Sequence, residues 1–136
     1  MSTIRYTQEA TLAADEFLAV LAASGLAERR PVGDRARIER MLANANLIVT
    51  ARDEQGRLVG VSRALTDFAY CCYLSDLAVD KACQGQGIGK RLVEETRRIA
   101  GPESMCLLLS APDAIPFYRA MGMPQPDNAF MFKRER

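Results

Sequence analysis

Leu77-Ala78-Val79-Asp80-Lys81-Ala82-Cys83-Gln84-Gly85-Gln86-Gly87-Ile88-Gly89-Lys90 is the stretch on which the fold turns. An apolar strand ends at Val79, a turn with little side-chain bulk follows, and Ile88 opens an amphipathic helix. That helix turns Leu92, Val93, Thr96 and Ile99 inward and stops at Gly101-Pro102. The first four N–H groups of a helix lack internal partners, and the macrodipole places partial positive charge there, so the pattern predicts an anion site. Gly85, Gly87 and Gly89 would bring the backbone within reach of a phosphate with no Cβ in the way. Lys90 and Arg91 occupy the first turn, where cations are normally unfavourable; a docked polyanion explains both.

Three glycine loops compete for this stretch. A P-loop needs Ser or Thr after Gly-Lys, but Arg91 follows Lys90 and nothing is placed to hold magnesium. A dinucleotide fingerprint starting at Gly85 and Gly87 would require glycine where Lys90 stands. What remains is Gln84, Gly87 and Gly89 in the pattern Q-x-x-G-x-G, preceded by Leu77 and Val79 as L-x-V. This combination resembles the acyl-CoA-binding motif of the GNAT superfamily of N-acetyltransferases. The plain alternative is a glycine-rich β-to-α turn with no ligand. A second segment, Asp113 to Met123, reads as a short helix capped by Asp113, with Pro116 in its first turn and Gly122 as a left-handed stop. Phe117, Tyr118 and Gly122 match the F-Y-x-x-x-G-F segment of that superfamily, with Met123 replacing its last aromatic. Taken alone, Phe-Tyr on a short helix is ordinary core packing.

The chain has 136 residues, enough for one domain burying roughly two-thirds of its unfolded surface. A net charge of +1 gives no global field for nucleic acid or anionic membranes. No apolar run approaches membrane-spanning length and no signal peptide is visible, so a cytoplasmic location is expected. Cys71, Cys72, Cys83 and Cys106 form no C-x-x-C pair, and histidine is absent, so no metal site is expected. The cysteines read as small apolar residues in a reducing compartment. Absence of histidine also excludes Ser-His and Cys-His mechanisms.

Hydrophobic periodicity predicts a strand at 4–6, helices at 11–24 and 34–45, and strands at 47–52, 58–65 and 71–79. The glycine-loop helix comes next, followed by a strand at 105–110 buried on both faces, the Tyr118 helix and a closing strand at 129–133. The order is β-α-α-β-β-β-α-β-α-β. It predicts a mixed α/β sheet, mostly antiparallel with parallel pairing late in the chain, flanked by helices. This resembles the superfamily fold end to end.

The resemblance implies acetyl-CoA as cosubstrate, with no metal, and direct transfer of the acetyl group to a primary amine in a ternary complex. It implies cofactor contacts at Leu77, Ala78, Val79, Gln84, Gly85, Gln86, Gly87, Ile88, Gly89, Lys90 and Phe117. The N–H near Leu77 would polarise the acetyl carbonyl, and Tyr118 would protonate the leaving thiolate. At pH 7 only about 0.04% of an alkylamine is neutral, and Asp76 is the nearest residue expected to remove its proton or bind the ammonium. Alternatively Asp76 points to solvent or caps a bulge. Gly60 to Ala64, Thr66-Asp67, the Asp76 to Val79 core and Arg29-Arg30-Pro31 resemble, more closely, a compact bacterial group related to plant arylalkylamine acetyltransferases. Arg29, Arg30, Tyr70 and Tyr73 are candidate acceptor-pocket residues, although each also reads as ordinary surface or core. An acidic acceptor suits the arginines and an aromatic amine suits the tyrosines; the sequence does not decide. A non-catalytic acyl-CoA sensor is the competing class. A homodimer is compatible with the apolar stretch Phe130-Met131-Phe132.

Overall fold

A computed structural model describes residues 3–136. Its strands are β1 (Arg5–Gln8), β2 (Leu47–Arg52), β3 (Leu58–Thr66), β4 (Cys71–Val79) and β5 (Met105–Leu107). Its helices are α1 (Ala14–Ser24), α2 (Arg35–Asn44), α3 (Ile88–Ala100) and α4 (Ile115–Ala120). Short 3-10 turns cover Leu26–Arg29, Lys81–Cys83 and Pro112–Ala114. The strands lie in sequence order, with antiparallel pairing from β1 to β4 and parallel pairing between β4 and β5. This is the mixed, mostly antiparallel sheet that the element order predicts.

Local chemistry sets the element ends. Gly25 adopts φ 86° after α1, the left-handed stop only glycine takes without strain. Asp34 caps α2 by accepting the Arg37 N–H at 3.1 Å. Alternation along the strands, reversed by one-residue bulges at Val59 in β3 and Ser75 in β4, then divides the core. Ile48, Val61 and Ala78 face α1 and α2 with Phe17, Leu21 and Ile38, whereas Leu47, Val49, Val59 and Cys72 face α3 with Ile88 and Leu92. A Cβ on Gly60 would stand 3.0 Å from Leu92 Cδ1, so the missing side chain lets α3 sit close to the sheet. A buried hydrogen bond of 2.7 Å between the hydroxyls of Ser62 and Thr96 ties α3 to β3.

Three expectations fail toward the C-terminus. The strand expected over 105–110 ends at Leu107 and is not buried on both faces: Met105 is 56% exposed and Leu109 52%. Its apolar run reflects one-sided packing at a sheet edge. The helix expected over 113–123 is a 3-10 turn followed by six α-helical residues, and Asp113 caps neither. No strand forms over 129–133, where Phe130 and Phe132 project fully into solvent. That segment has strand-like composition but no ladder partner among the described residues.

Candidate functional site

Strand β4 carries the geometry. Its ladder with β3 runs Gly60 opposite Val79 to Arg63 opposite Asp76, then shifts so that Ala64 faces Leu74. Ser75 is therefore the extra residue of a β-bulge. Just past the last pair, the Asp80 N–H donates to the Val59 carbonyl at 2.8 Å. Antiparallel hydrogen bonding alternates, so Ala78 and Asp76 bond toward β3 while Leu77 and Val79 turn their N–H and C=O groups the other way. On that other side β5 pairs only with Cys71, Cys72 and Tyr73. Beyond Tyr73 the two strands separate, and the Leu77 N–H faces the opening.

The loop after Val79 is anchored rather than slack. Asp80 accepts from the Ala82 N–H at 2.9 Å and from the Arg57 guanidinium at 2.8 Å. The Gln84 side-chain amide donates to the Val79 carbonyl at 3.1 Å, folding the loop back on its own strand. Gly85 and Gly87 both take left-handed φ values, 82° and 81°, with open space where a Cβ would point. Gly87 is the N-cap of α3, no side chain caps that end, and the first intrahelical bond runs from the Arg91 N–H to the Gly87 carbonyl at 3.0 Å. The N–H groups of Gly87, Ile88, Gly89 and Lys90 are thus the orphan donors of the helix. Together with the glycines they form an open anion cradle.

Two residues of this loop differ from expectation. Gly89 does not clear a path for phosphate; it makes room for Phe117, whose Cζ would lie 2.9 Å from a Cβ there. Arg91 is committed elsewhere, donating to Glu95 at 3.1 Å and covering the Tyr6 ring at 4.8 Å. Lys90 is the exposed cation left at the cradle.

Phe117 and Tyr118 meet edge to face with centroids 5.0 Å apart. Burial pushes the Tyr118 phenol above its ordinary value, the nearby Arg30 charge pulls it down, and Cys106 adds a small upward push. Tyr118 is therefore a protonated phenol at neutral pH. Burial likewise raises Cys106, and burial with Cys106 as neighbour pushes Cys72 up to about 11. Thiols so shifted are poor nucleophiles.

Asp76 does not stand where an amine could give it a proton. It is completely buried, and its two oxygens are taken by Arg30 Nε and Arg63 Nε. Arg63 also donates to the Met41 carbonyl at 3.2 Å and the Ser75 hydroxyl at 2.9 Å, and Arg30 to the Ser75 carbonyl at 2.8 Å. The carboxylate is a structural brace for two arginines. Arg63 was missed by sequence reasoning, although one cation inside the apolar run Leu58 to Leu65 already signals a buried partner. Arg29 is exposed at the rim, next to Arg30. Tyr73 is half-buried beside Leu107. Tyr70 is 79% exposed just before β4, about 20 Å of extended chain from Asp76, apart from the Arg30–Asp76 cluster.

A family model described as an acetyltransferase (GNAT) domain matches residues 43–122, from the end of α2 to the glycine after α4. The chain belongs to the GNAT family. The match encloses the glycine loop, the bulged strand and the Phe117–Tyr118 pair of this GNAT domain. A soybean (Glycine max) protein named histone acetyltransferase TAP1 is 36% identical over 72 residues, covering 52% of this chain and 31% of its own length. The chain therefore spans less than a third of that relative's length. A GNAT-family acetyltransferase structure from Streptococcus pneumoniae superposes with TM-score 0.78 at 24% identity, covering 98% of this chain and 99% of its own. The aminoglycoside N-acetyltransferase AAC(6')-Iy, solved in complex with CoA, gives 0.74 at 15% identity, covering 100% of this chain and 97% of its own. These likenesses establish the fold.

Proposed function

We propose that this GNAT domain transfers an acetyl group from acetyl-CoA to a primary amine by direct attack in a ternary complex. The observation that carries this reading is that the outward-facing edge of β4, unpaired beyond Tyr73, leads straight into the anion cradle, against which Phe117 packs with Tyr118 beside it. The cradle suits a pyrophosphate, with donors from Gly87 to Lys90 and the Lys90 ammonium nearby. The outward N–H and C=O of Leu77 and the Val79 N–H suit the amides of a pantetheine arm; the Val79 carbonyl already accepts from Gln84. The Leu77 N–H then serves as the donor to the carbonyl oxygen that gains negative charge during attack.

Each bond has an assigned fate. The amine lone pair forms the C–N bond as the C–S bond breaks. Sulfur leaves with its electron pair and takes the proton of the Tyr118 hydroxyl. The surplus proton on nitrogen goes to water, and Tyr118 recovers its own from solvent. With Asp76 closed off by two arginines and no histidine in the chain, no side chain of this site takes the amine proton directly. The raised thiols of Cys72 and Cys106 favour direct attack over an acetyl-cysteine route.

The test is acetyl transfer to a mixed panel of amino acids, polyamines, arylalkylamines, amino sugars and short peptides, read by product mass. One class of amide product is expected. Bound acetyl-CoA with no amide from any member would favour a domain that binds acyl-CoA without turning it over.

A further inference from the structure

We propose that Arg30 anchors a carboxylate on the acceptor, so that the amine acetylated by this domain belongs to an amino acid or a similarly anionic amine. The proposal rests on the acetyl-transfer reading and names the substrate class of that same site. It starts from charge. Arg30, Arg63 and Asp76 form one hydrogen-bonded cluster with two guanidinium groups and one carboxylate, a formal surplus of one positive charge. Asp76 has no solvent exposure, the Arg63 side chain 7% and the Arg30 side chain 21%. The other partners of both arginines are neutral: the carbonyls of Arg29, Ser75 and Met41 and the Ser75 hydroxyl. A half-desolvated surplus charge is costly until an anion meets it.

Arg30 also has the donors for that anion. A guanidinium carries five N–H groups, and Arg30 uses three, on Asp76, the Arg29 carbonyl and the Ser75 carbonyl. One N–H on each Nη remains, the number a bidentate carboxylate pairing uses. Asp76, held in turn by Arg63, keeps Arg30 from swinging away, so both act as positioning residues. The place is right for an acceptor, because the Arg30 charge is felt at Tyr118 and the Ser75 bulge it grips opens the strand. Arg29 stands exposed beside it, with no side-chain partner among the described residues.

The same charge bears on the missing base. A bare ammonium is repelled by the cluster, which shifts a bound amine toward its neutral, nucleophilic form. An amine carrying its own carboxylate is still drawn in. Attraction thus comes through one end of the acceptor and activation through the other.

Matched acceptors test this. Short ω-amino acids and their carboxamides share a primary amine and differ mainly in the distant charge. Acetylation by the intact chain is expected to favour the acids by about tenfold or more in kcat/KM. In Arg30→Gln the ratio should fall to near one with acetyl-CoA affinity retained, and Arg30→Lys should keep part of it. A wild-type ratio at or below one overturns the assignment, as does a preference that survives in Arg30→Gln. Failure of every amine, with acetyl-CoA bound, overturns the acetyl-transfer reading itself and this assignment with it.

Discussion

The ring of Phe117 fills the space that a side chain on Gly89 would need: a Cβ there would stand 2.9 Å from Cζ. One contact therefore couples the first turn of α3, which supplies the anion cradle, to the short helix that presents Tyr118. The two halves of the site are packed on each other rather than merely neighbours in the sheet. Spacing alone reads Gly89 as a third loop glycine, yet it is buried inside the helix and shaped by an aromatic partner.

Gly89→Ala should therefore disturb catalysis more than cradle chemistry predicts. The helix gains about 1 kcal/mol of propensity, but overpacking against a ring costs about 1–3 kcal/mol, so a net loss is expected. Displacement of Phe117 carries Tyr118 with it, and kcat should fall. Urea unfolding and steady-state kinetics read the two effects. A more stable, fully active variant would refute the coupling.

Asp76→Asn separates a brace from a base. Loss of the carboxylate leaves two arginines unneutralised around a buried site, and breaking such a pair typically costs about 3–5 kcal/mol. A large drop in the urea midpoint is expected. A variant of undiminished stability but no activity would restore Asp76 as the base.

Tyr118→Phe and Gly87→Asp should fail in opposite ways. The first removes the proton donor, so turnover should fall by about a hundredfold while acetyl-CoA affinity stays nearly unchanged. The second puts a carboxylate at the N-cap of α3, so acetyl-CoA should bind at least about tenfold more weakly. Because burial holds the Tyr118 phenol above its ordinary value, no loss of rate from its ionisation is expected below about pH 10. Calorimetry and a pH-rate profile check these outcomes.

Acid should destabilise the fold through four carboxylates. The Arg52 hydrogen bond lowers Glu9, the backbone N–H groups of Cys71, Ala69 and Tyr70 lower Asp67, the Arg57 hydrogen bond lowers Asp80, and the Arg98 hydrogen bond lowers Glu95. A group whose folded value lies below its unfolded one stabilises above the unfolded value and loses that contribution as pH falls through the folded one. Stability should thus be level from neutral pH to about 5 and decline below about 4. Asp67→Ala should lower Tm at pH 7 and flatten the acid decline; an unchanged decline would exclude Asp67 as a contributor.

The sequence was most legible where one residue type has few uses. Gly25, Gly87 and Gly122 mark turns that need positive φ, and alternation from Leu47 to Val79 places the central strands within a residue. It was least legible where neighbours decide. A strand over 129–133 needs a partner strand that composition does not supply, and Asp76 needs both arginines in view before it stops resembling a base. The resemblance implies a bulge in this strand, but its place at Ser75 is not legible in the sequence, because it is a property of two strands in register.

The most direct measurement follows a labelled acetyl group. The chain, acetyl-CoA with a deuterated acetyl group and an amine that the panel has identified are mixed, and amide, free CoA and intact protein are weighed by mass spectrometry. Direct transfer predicts label in the amide in step with free CoA, and none on the protein. Label held on Cys83 or Cys106, or free CoA released without matching label in the amide, would contradict it.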